Sequence, residues 1–395
     1  MKFSVSIRIA CASLTFASVL AVAVPVWCRY VRTRDVHEGI PLRQKFVAAY
    51  GLYRRVTGAR SCNGCVKLLE SDQLMLPSGI RRDMAQTAQK AIAFSEFCRS
   101  NGVRYLYVQL PKKLDVRKTM LPPGVRDFAY ENADDLLRRL EEAGVIAEDW
   151  RPRFAGSARQ VEDNFYVSDT HWNNPASLRA AHDLACAIAR LCDADAVAAA
   201  EADRLLQSEN WTCRQVALRI PGALAKRTGR FFSAPSDVMA LWPKFKTELT
   251  VALPERKSAS SGSFLEVAVS PYGRAMSAKK ALEMSFSRQY AGADERLVRL
   301  VNCRAPLDRK VMLLGDSFSR SLRIYLWVAV REIVAVDLRH WDPPLDVARL
   351  VLDERPDIVI QIPTAAALLS GVIAGENRLA PWNIPSFKPL KRPHP

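Results

Sequence analysis

Two rhythms of apolar spacing alternate along the chain from about residue 80 onward. Ala85, Ala88, Ala91, Ile92 and Phe97 recur at helical intervals between Arg82 and Arg99, and Asn101-Gly102 closes the stripe. Arg104-Tyr105-Leu106-Tyr107-Val108-Gln109-Leu110 is rich in β-formers and stops at Pro111, which predicts a strand. A charged helix is predicted from Asn132 to Ala143 and a short strand from Val145 to Trp150. Later the alternation becomes denser: a strand from Lys310 to Leu314, a helix from Ser317 to Val330, a strand from Ile333 to Leu338, a helix from Leu345 to Glu354 and a strand from Ile358 to Ile362. Helices and strands in turn predict an α/β domain, a mostly parallel sheet flanked by helices.

The pattern breaks in four places. Ile9 to Cys28 is a charge-free run of about membrane-spanning length, preceded by Lys2 and Arg8, and reads as an N-terminal membrane anchor or an export signal. Ala21-Val22-Ala23 offers a small-residue cleavage site, although an uncleaved anchor with the body outside the cytoplasm is the favoured reading. Residues 29–60 are basic and irregularly amphipathic, as in a stalk. The stretch from about 195 to 300 is an insertion in which Ser258-Ala259-Ser260-Ser261-Gly262-Ser263 reads as a flexible loop able to shape a substrate groove. From Gly375 the repeated prolines with Lys388, Lys391 and Arg392 read as a basic tail. The predicted organisation is therefore an anchor or signal over 1–30, a stalk and lead-in over 31–79, a domain over 80–370 with the 195–300 insertion, and a tail over 371–395.

Charge narrows the partners. Among 395 residues, 57 Lys+Arg against 41 Asp+Glu give a formal +16, which suits an anionic surface or polymer. The basic residues come in scattered pairs such as Arg54-Arg55 and Arg81-Arg82 with no interleaved aromatics, which argues against nucleic acid. Outside the apolar run the cysteines are Cys62, Cys65, Cys98, Cys186, Cys192, Cys213 and Cys303, an odd number. Cys62-Asn63-Gly64-Cys65 has redox or half-zinc spacing, but it lacks a second pair and a thioredoxin-like strand before it, so a local disulfide or incidental thiols is the reading.

Chemistry concentrates in two segments. Val311-Met312-Leu313-Leu314-Gly315-Asp316-Ser317 places a serine where a buried strand is predicted to become a helix, either as a nucleophile or as a helix cap. Ser168-Asp169-Thr170-His171-Trp172-Asn173 offers a carboxylate and an imidazole two positions apart, on a loop before a helix that Asn174 caps and Pro175 starts. A serine hydroxyl needs an imidazole to accept its proton, and the imidazole needs a carboxylate to fix its tautomer and balance its cation. Ser317, His171 and Asp169 supply those three groups, and free N–H groups at the helix start are expected to hold an oxyanion. His37, His182, His340 and His394 form no pair with metal spacing, and no metal or cofactor is expected.

Asp169-Thr170-His171-Trp172-Asn173 together with Gly315-Asp316-Ser317-Phe318 resembles the SGNH-hydrolase-like domain of the alginate O-acetyltransferase family, in which the Asp-x-His-Trp segment precedes the Gly-x-Ser segment. Gln109-Leu110-Pro111-Lys112-Lys113 is similar to that family's Pro-x-Lys turn, and Arg355-Pro356-Asp357-Ile358-Val359-Ile360 to its last strand; the likeness spans roughly residues 80–370. The resemblance implies an acyl-serine at Ser317, a proton shuttle at His171 and an orienting carboxylate at Asp169. It also implies a periplasm-facing protein at the bacterial inner membrane, a polysaccharide acceptor, and acetyl groups delivered with the help of a membrane-bound O-acyltransferase. Trp172 becomes either a sugar-stacking wall or packing beneath the loop, and Arg339 either a partner for an acidic sugar or a surface charge. An SGNH-type carbohydrate esterase and a non-catalytic polysaccharide-binding or assembly protein are the alternative functions.

Overall fold

Four strands buried along most of their length, and a short fifth at the edge, lie side by side in parallel, and the rest of the protein is built around them. The computed structural model describes residues 43–68, 72–113, 115, 121–220, 222–234, 236–268, 295–337 and 345–365. The anchor or signal over 1–30, Arg339 and the tail over 371–395 lie outside the described residues.

In chain order, α1 (Arg43–Val56) leads to a small antiparallel sheet of β1 (Ser61–Cys62), β2 (Cys65–Lys67) and β3 (Leu74–Met75). Then follow α2 (Ala85–Ser100), β4 (Arg104–Gln109), α3 (Ala129–Glu142), β5 (Ala147–Asp149), α4 (Arg151–Ala155), α5 (Ala158–Asn164), α6 (Asn174–Leu191) and α7 (Ala196–Leu206). A separate hairpin pairs β6 (Trp211–Ile220) with β7 (Ser236–Pro243) around α8 (Ala223–Thr228). Next are β8 (Leu249–Leu253), β9 (Ser258–Gly262), α9 (Phe264–Val267), β10 (Leu297–Val301), β11 (Leu307–Gly315), α10 (Ser319–Leu326), β12 (Val330–Asp337), α11 (Val347–Glu354) and β13 (Ile358–Ile362).

The main sheet has the order β5-β4-β13-β11-β12-β10-β8-β9. From β5 to β12 neighbours are parallel, and β10, β8 and β9 complete the sheet antiparallel. The sheet is thus mixed, with its parallel half as the sequence predicts. Alternate side chains of β11 go to opposite cores. Val311 and Leu313 pack with Leu178, Leu184 and Ile188 of α6 and Leu322 and Tyr325 of α10, whereas Met312 and Leu314 pack with Phe94 of α2, Leu136 of α3 and Val351 of α11. Burial on both faces explains the unbroken apolar run, since period-2 alternation appears only where one face meets water. The chain leaves β11 over one face, through α10, to reach β12, and returns over the other, through α11, to reach β13. That reversal makes the carboxyl end of β11 the topological switch point of the sheet, the position at which ligands bind in open α/β folds.

Three expectations change. Ser258-Ala259-Ser260-Ser261-Gly262 is not a loop: it forms edge strand β9 against β8, with Thr250 Oγ1 and Ser261 Oγ 2.7 Å apart across the pair. Small polar residues lack strand propensity, and it is the hydrogen-bonding edge of β8 that makes them a strand. Within the stretch expected to be a stalk, α1 packs on α8. A Cβ on Gly51 would meet the Thr228 carbonyl oxygen at 2.1 Å, and Val47 is buried. The helix predicted from Ser317 to Val330 is shorter, because Val330 already pairs with Leu307 at the start of β12. Cys62-Asn63-Gly64-Cys65 is a tight hairpin: Cys62 and Cys65 are register partners, and Asn63 and Gly64 have φ of 46° and 77°, the pair of left-handed residues that a two-residue turn demands.

Candidate functional site

The histidine segment is a pinched loop between α5 and α6. Phe165 and Trp172 form an isolated bridge, Tyr166 N–H donates to His171 O at 3.3 Å, and Asn173 N–H donates to Asn164 O at 2.7 Å. Asn173, one residue before the expected cap, closes α6 by accepting from Ala176 N–H. Inside the loop, Lys113 Nζ has four carbonyl oxygens within hydrogen-bonding distance, those of Tyr166, of Val167 at 2.9 Å, of Asp169 at 2.8 Å and of Leu74 in β3 at 2.9 Å, which its three N–H bonds share. Burial pulls the Lys113 pKa down to about 7, against the opposing pull of Asp169 and Cys65. Lys113 is the lysine of the Pro-x-Lys turn, and it gives that turn a positioning role that spacing alone does not reveal.

The start of α8 holds the loop from the other side. Ser168 O accepts from Leu224 and Ala225 N–H at 3.1 Å, and Ala223 N–H donates to Asp169 Oδ2 at 2.6 Å. Gly222 makes this approach possible, since a Cβ there would sit 2.4 Å from Ser168 O and 2.6 Å from Asp169 Cβ. Asp169 Oδ1 lies 2.6 Å from His171 Nδ1 and accepts the His171 backbone N–H at 3.0 Å. Burial opposes charge on Asp169, but the imidazole, its hydrogen bond and the two backbone donors outweigh it and hold the carboxyl down to about 2. With a carboxylate at Nδ1, the ring carries its proton there and offers Nε2 as an acceptor. Nε2 is buried and meets no hydrogen-bond partner among the described residues.

Facing that ring is the Gly315-Asp316-Ser317-Phe318 turn. The Phe318 ring centroid is 5.1 Å from that of His171, which brings the two sequence segments together at the carboxyl end of β11. Ser317 is half-buried in the turn between β11 and α10. Gly315 lets α10 fold tightly back, because a Cβ would meet Ser319 Cβ at 2.6 Å. Asp316 is the turn's brace: Oδ1 accepts Phe318 N–H at 2.9 Å, and Oδ2 accepts Thr364 N–H at 3.0 Å and Thr364 Oγ1–H at 2.8 Å, tying the end of β11 to the segment after β13. The expected store of free N–H groups is mostly spent. Ser319 N–H donates to Asp316 O and Arg320 N–H to Ser317 O, while the Ser317 N–H meets no acceptor among the described residues. Asp316 does not cap α10, whose N-cap is Phe318; its carboxylate closes a turn by accepting the N–H two residues on.

Trp172 packs beneath the loop. It is buried, with Phe154 and Phe318 at centroid distances of 5.6 and 5.3 Å, and its Nε1–H donates to Ser321 Oγ at 3.1 Å. Neither ring face is open to a sugar. Three residues after Ser317, Arg320 pairs with Asp337 at 3.1 Å at the end of β12; Arg339, expected as a partner for an acidic sugar or as a surface charge, lies outside the described residues.

Residues 68–227 match the family described as SGNH hydrolase-like domain, acetyltransferase AlgX. The resemblance read from the two motifs therefore holds; the matched span contains Asp169 and His171, and Ser317 lies beyond it. Bacillus cereus PatB1, solved with a sulfonyl adduct, overlaps at a TM-score of 0.59 and 16% identity, covering 77% of this chain and 96% of that one. A DHHW family protein from Eubacterium siraeum overlaps at a TM-score of 0.55 and 16% identity, covering 80% and 94%. At these identities the likeness is one of fold. No curated protein sequence matches the chain.

Proposed function

We propose that this chain, with its acetyltransferase-type SGNH-hydrolase-like domain, moves acetyl groups onto hydroxyls of a cell-surface or secreted polysaccharide through an acyl-serine at Ser317. One observation supports the reading above others: a half-buried imidazole has its Nδ1 fixed by an ionised carboxylate and its Nε2 left without a partner among the described residues, beside the turn that carries a serine. In the first half-reaction His171 Nε2 takes the Ser317 hydroxyl proton as Oγ attacks the carbonyl carbon of an acetyl ester. The proton then passes to the departing alkoxide, which leaves as an alcohol. In the second half-reaction a sugar hydroxyl gives its proton to Nε2, attacks the acetyl-serine and expels Ser317 Oγ, which recovers the proton. The Ser317 N–H is the oxyanion donor that the turn leaves available. Asp169 remains ionised throughout and balances the transient imidazolium.

The apolar run before residue 30 and the surplus of basic residues fit a body held on the periplasmic face of the inner membrane, receiving acetyl groups with the help of a membrane-bound O-acyltransferase. Among the described residues no helix is long and apolar enough to cross a membrane. The decisive experiment mixes purified protein with an activated acetyl ester and oligosaccharide acceptors and follows acetylated sugar and free acetate separately. Acetyl-sugar formed by wild type and abolished in Ser317→Ala is expected. Acetate alone would make the protein an esterase, and polymer acetylation unchanged in cells carrying Ser317→Ala would leave a binding or assembly role.

A further inference from the structure

His182 and Cys186 are four residues apart on α6, a spacing that sets both side chains on one face. Helix α7 brings Asp203 and Gln207 against that face. His182 Nε2 lies 2.7 Å from Asp203 Oδ1, 3.2 Å from Gln207 Nε2 and 3.9 Å from Cys186 Sγ. Ligand atoms of His182, Cys186 and Asp203 all fall within 4.8 Å of one another. A ring nitrogen has one proton or one lone pair, so it can serve only one of the neighbours that crowd it. A cation at their common centre serves nitrogen, sulfur and oxygen at once.

The rest of the ring's surroundings agree. His182 Nδ1 lies 3.5 Å from Asp183 Oδ1, and Asp183 is fixed in turn by Arg153 at 2.8 Å. A carboxylate behind the remote nitrogen is the outer-shell arrangement that turns the other nitrogen to a metal. Tetrahedral Zn2+ bonds of about 2.0–2.3 Å set N···S near about 3.6 Å and N···O near about 3.4 Å. The observed 3.9 and 2.7 Å are one small side-chain adjustment away. His182 and Asp203 are half-buried and Cys186 is exposed, which leaves the fourth position to water.

We propose that His182, Cys186 and Asp203 form a Zn2+ site that clamps α6 to α7. Helix α6 starts directly after the His171 loop, so the clamp braces the element on which that loop ends, and the assignment does not depend on acyl transfer. The experiment titrates the full chain, stripped with EDTA and moved to chelator-free buffer, with Co2+ followed by absorbance and with Zn2+ followed by calorimetry. One equivalent is expected, with a thiolate-to-cobalt charge-transfer band that Cys186→Ser abolishes. His182→Ala and Asp203→Ala are expected to weaken Zn2+ binding at least about tenfold. Cys213→Ser and Cys303→Ser leave both signals intact, and circular dichroism checks the fold of every variant. Zn2+ raises the Tm of wild type and not of Cys186→Ser. A titration without the charge-transfer band, or a band that persists in Cys186→Ser, overturns the assignment.

Discussion

Gly222→Ala tests whether the start of α8 positions the Asp169–His171 pair. Gly222 has φ −69°, open to any residue, so space alone decides the outcome. The new Cβ would lie 2.4 Å from Ser168 O and 2.6 Å from Asp169 Cβ, about 1 Å inside ordinary contact. The atoms met are the Ser168 carbonyl and Asp169 Cβ, none of them the far end of a flexible side chain, so the loop must separate from α8 by a similar distance. The 2.6 Å bond from Ala223 N–H to Asp169 Oδ2 then leaves hydrogen-bond range. Overpacking costs about 1–3 kcal/mol, and a hydrogen bond to a charged group contributes about 1.5–3 kcal/mol. With partial relaxation we expect a loss of about 3 kcal/mol, read as a lower urea midpoint at unchanged slope. Gly79→Ala is the control: a Cβ there meets nothing within 4 Å, and its effect stays within about 1 kcal/mol. Turnover in Gly222→Ala should fall on the order of 100-fold, as displacements of this size do. A Gly222→Ala protein as stable and as active as Gly79→Ala would refute the positioning role.

Because the Asp169 carboxyl is held at about 2 against an ordinary 3.8, its contribution of about 2 kcal/mol is fully present above about pH 4 and is lost as pH falls toward 2; acid titrations of unfolding should be flatter over that window in Asp169→Asn. Lys113 behaves in the opposite range: with its pKa lowered from 10.5 to about 7, the unfolded chain binds more protons between those values, so stability should rise with pH there and the rise should vanish in Lys113→Met. Trp172→Phe removes the Nε1–H bond to Ser321 but keeps a ring between Phe154 and Phe318; a stability loss of about 1 kcal/mol with no change in acceptor KM is expected, and a tenfold rise in KM would instead place the indole against sugar.

The parallel core was readable because strands buried on both faces are dominated by apolar residues, as Val311 to Leu314 and Ile358 to Ile360 are. Their ends were less readable. Where α10 stops depends on Val330 pairing with Leu307, a contact between strands that no local window contains. The Asp169–His171 pair was visible because its members are two residues apart and a local turn suffices to join them. Lys113 was visible as part of a turn, yet its task was not, since its acceptors are carbonyls of Leu74, Tyr166, Val167 and Asp169, and backbone oxygens carry no sequence signature. Gly222 and Asp316 are of the same kind: each residue type is dictated by a neighbour more than forty positions away, Ser168 in one case and Thr364 in the other.

Local spacing therefore settles the periodic elements and the chemistry of residues that are close along the chain, because helical and extended backbones set those directions without outside help. The switch point at the end of β11, the meeting of His171 with the Ser317 turn, the strand made from Ser258 to Gly262 and the convergence of Cys186 on Asp203 belong to the tertiary fold. Each depends on two distant stretches being packed to within a hydrogen bond or a van der Waals contact, a relation set by the shape of the whole core.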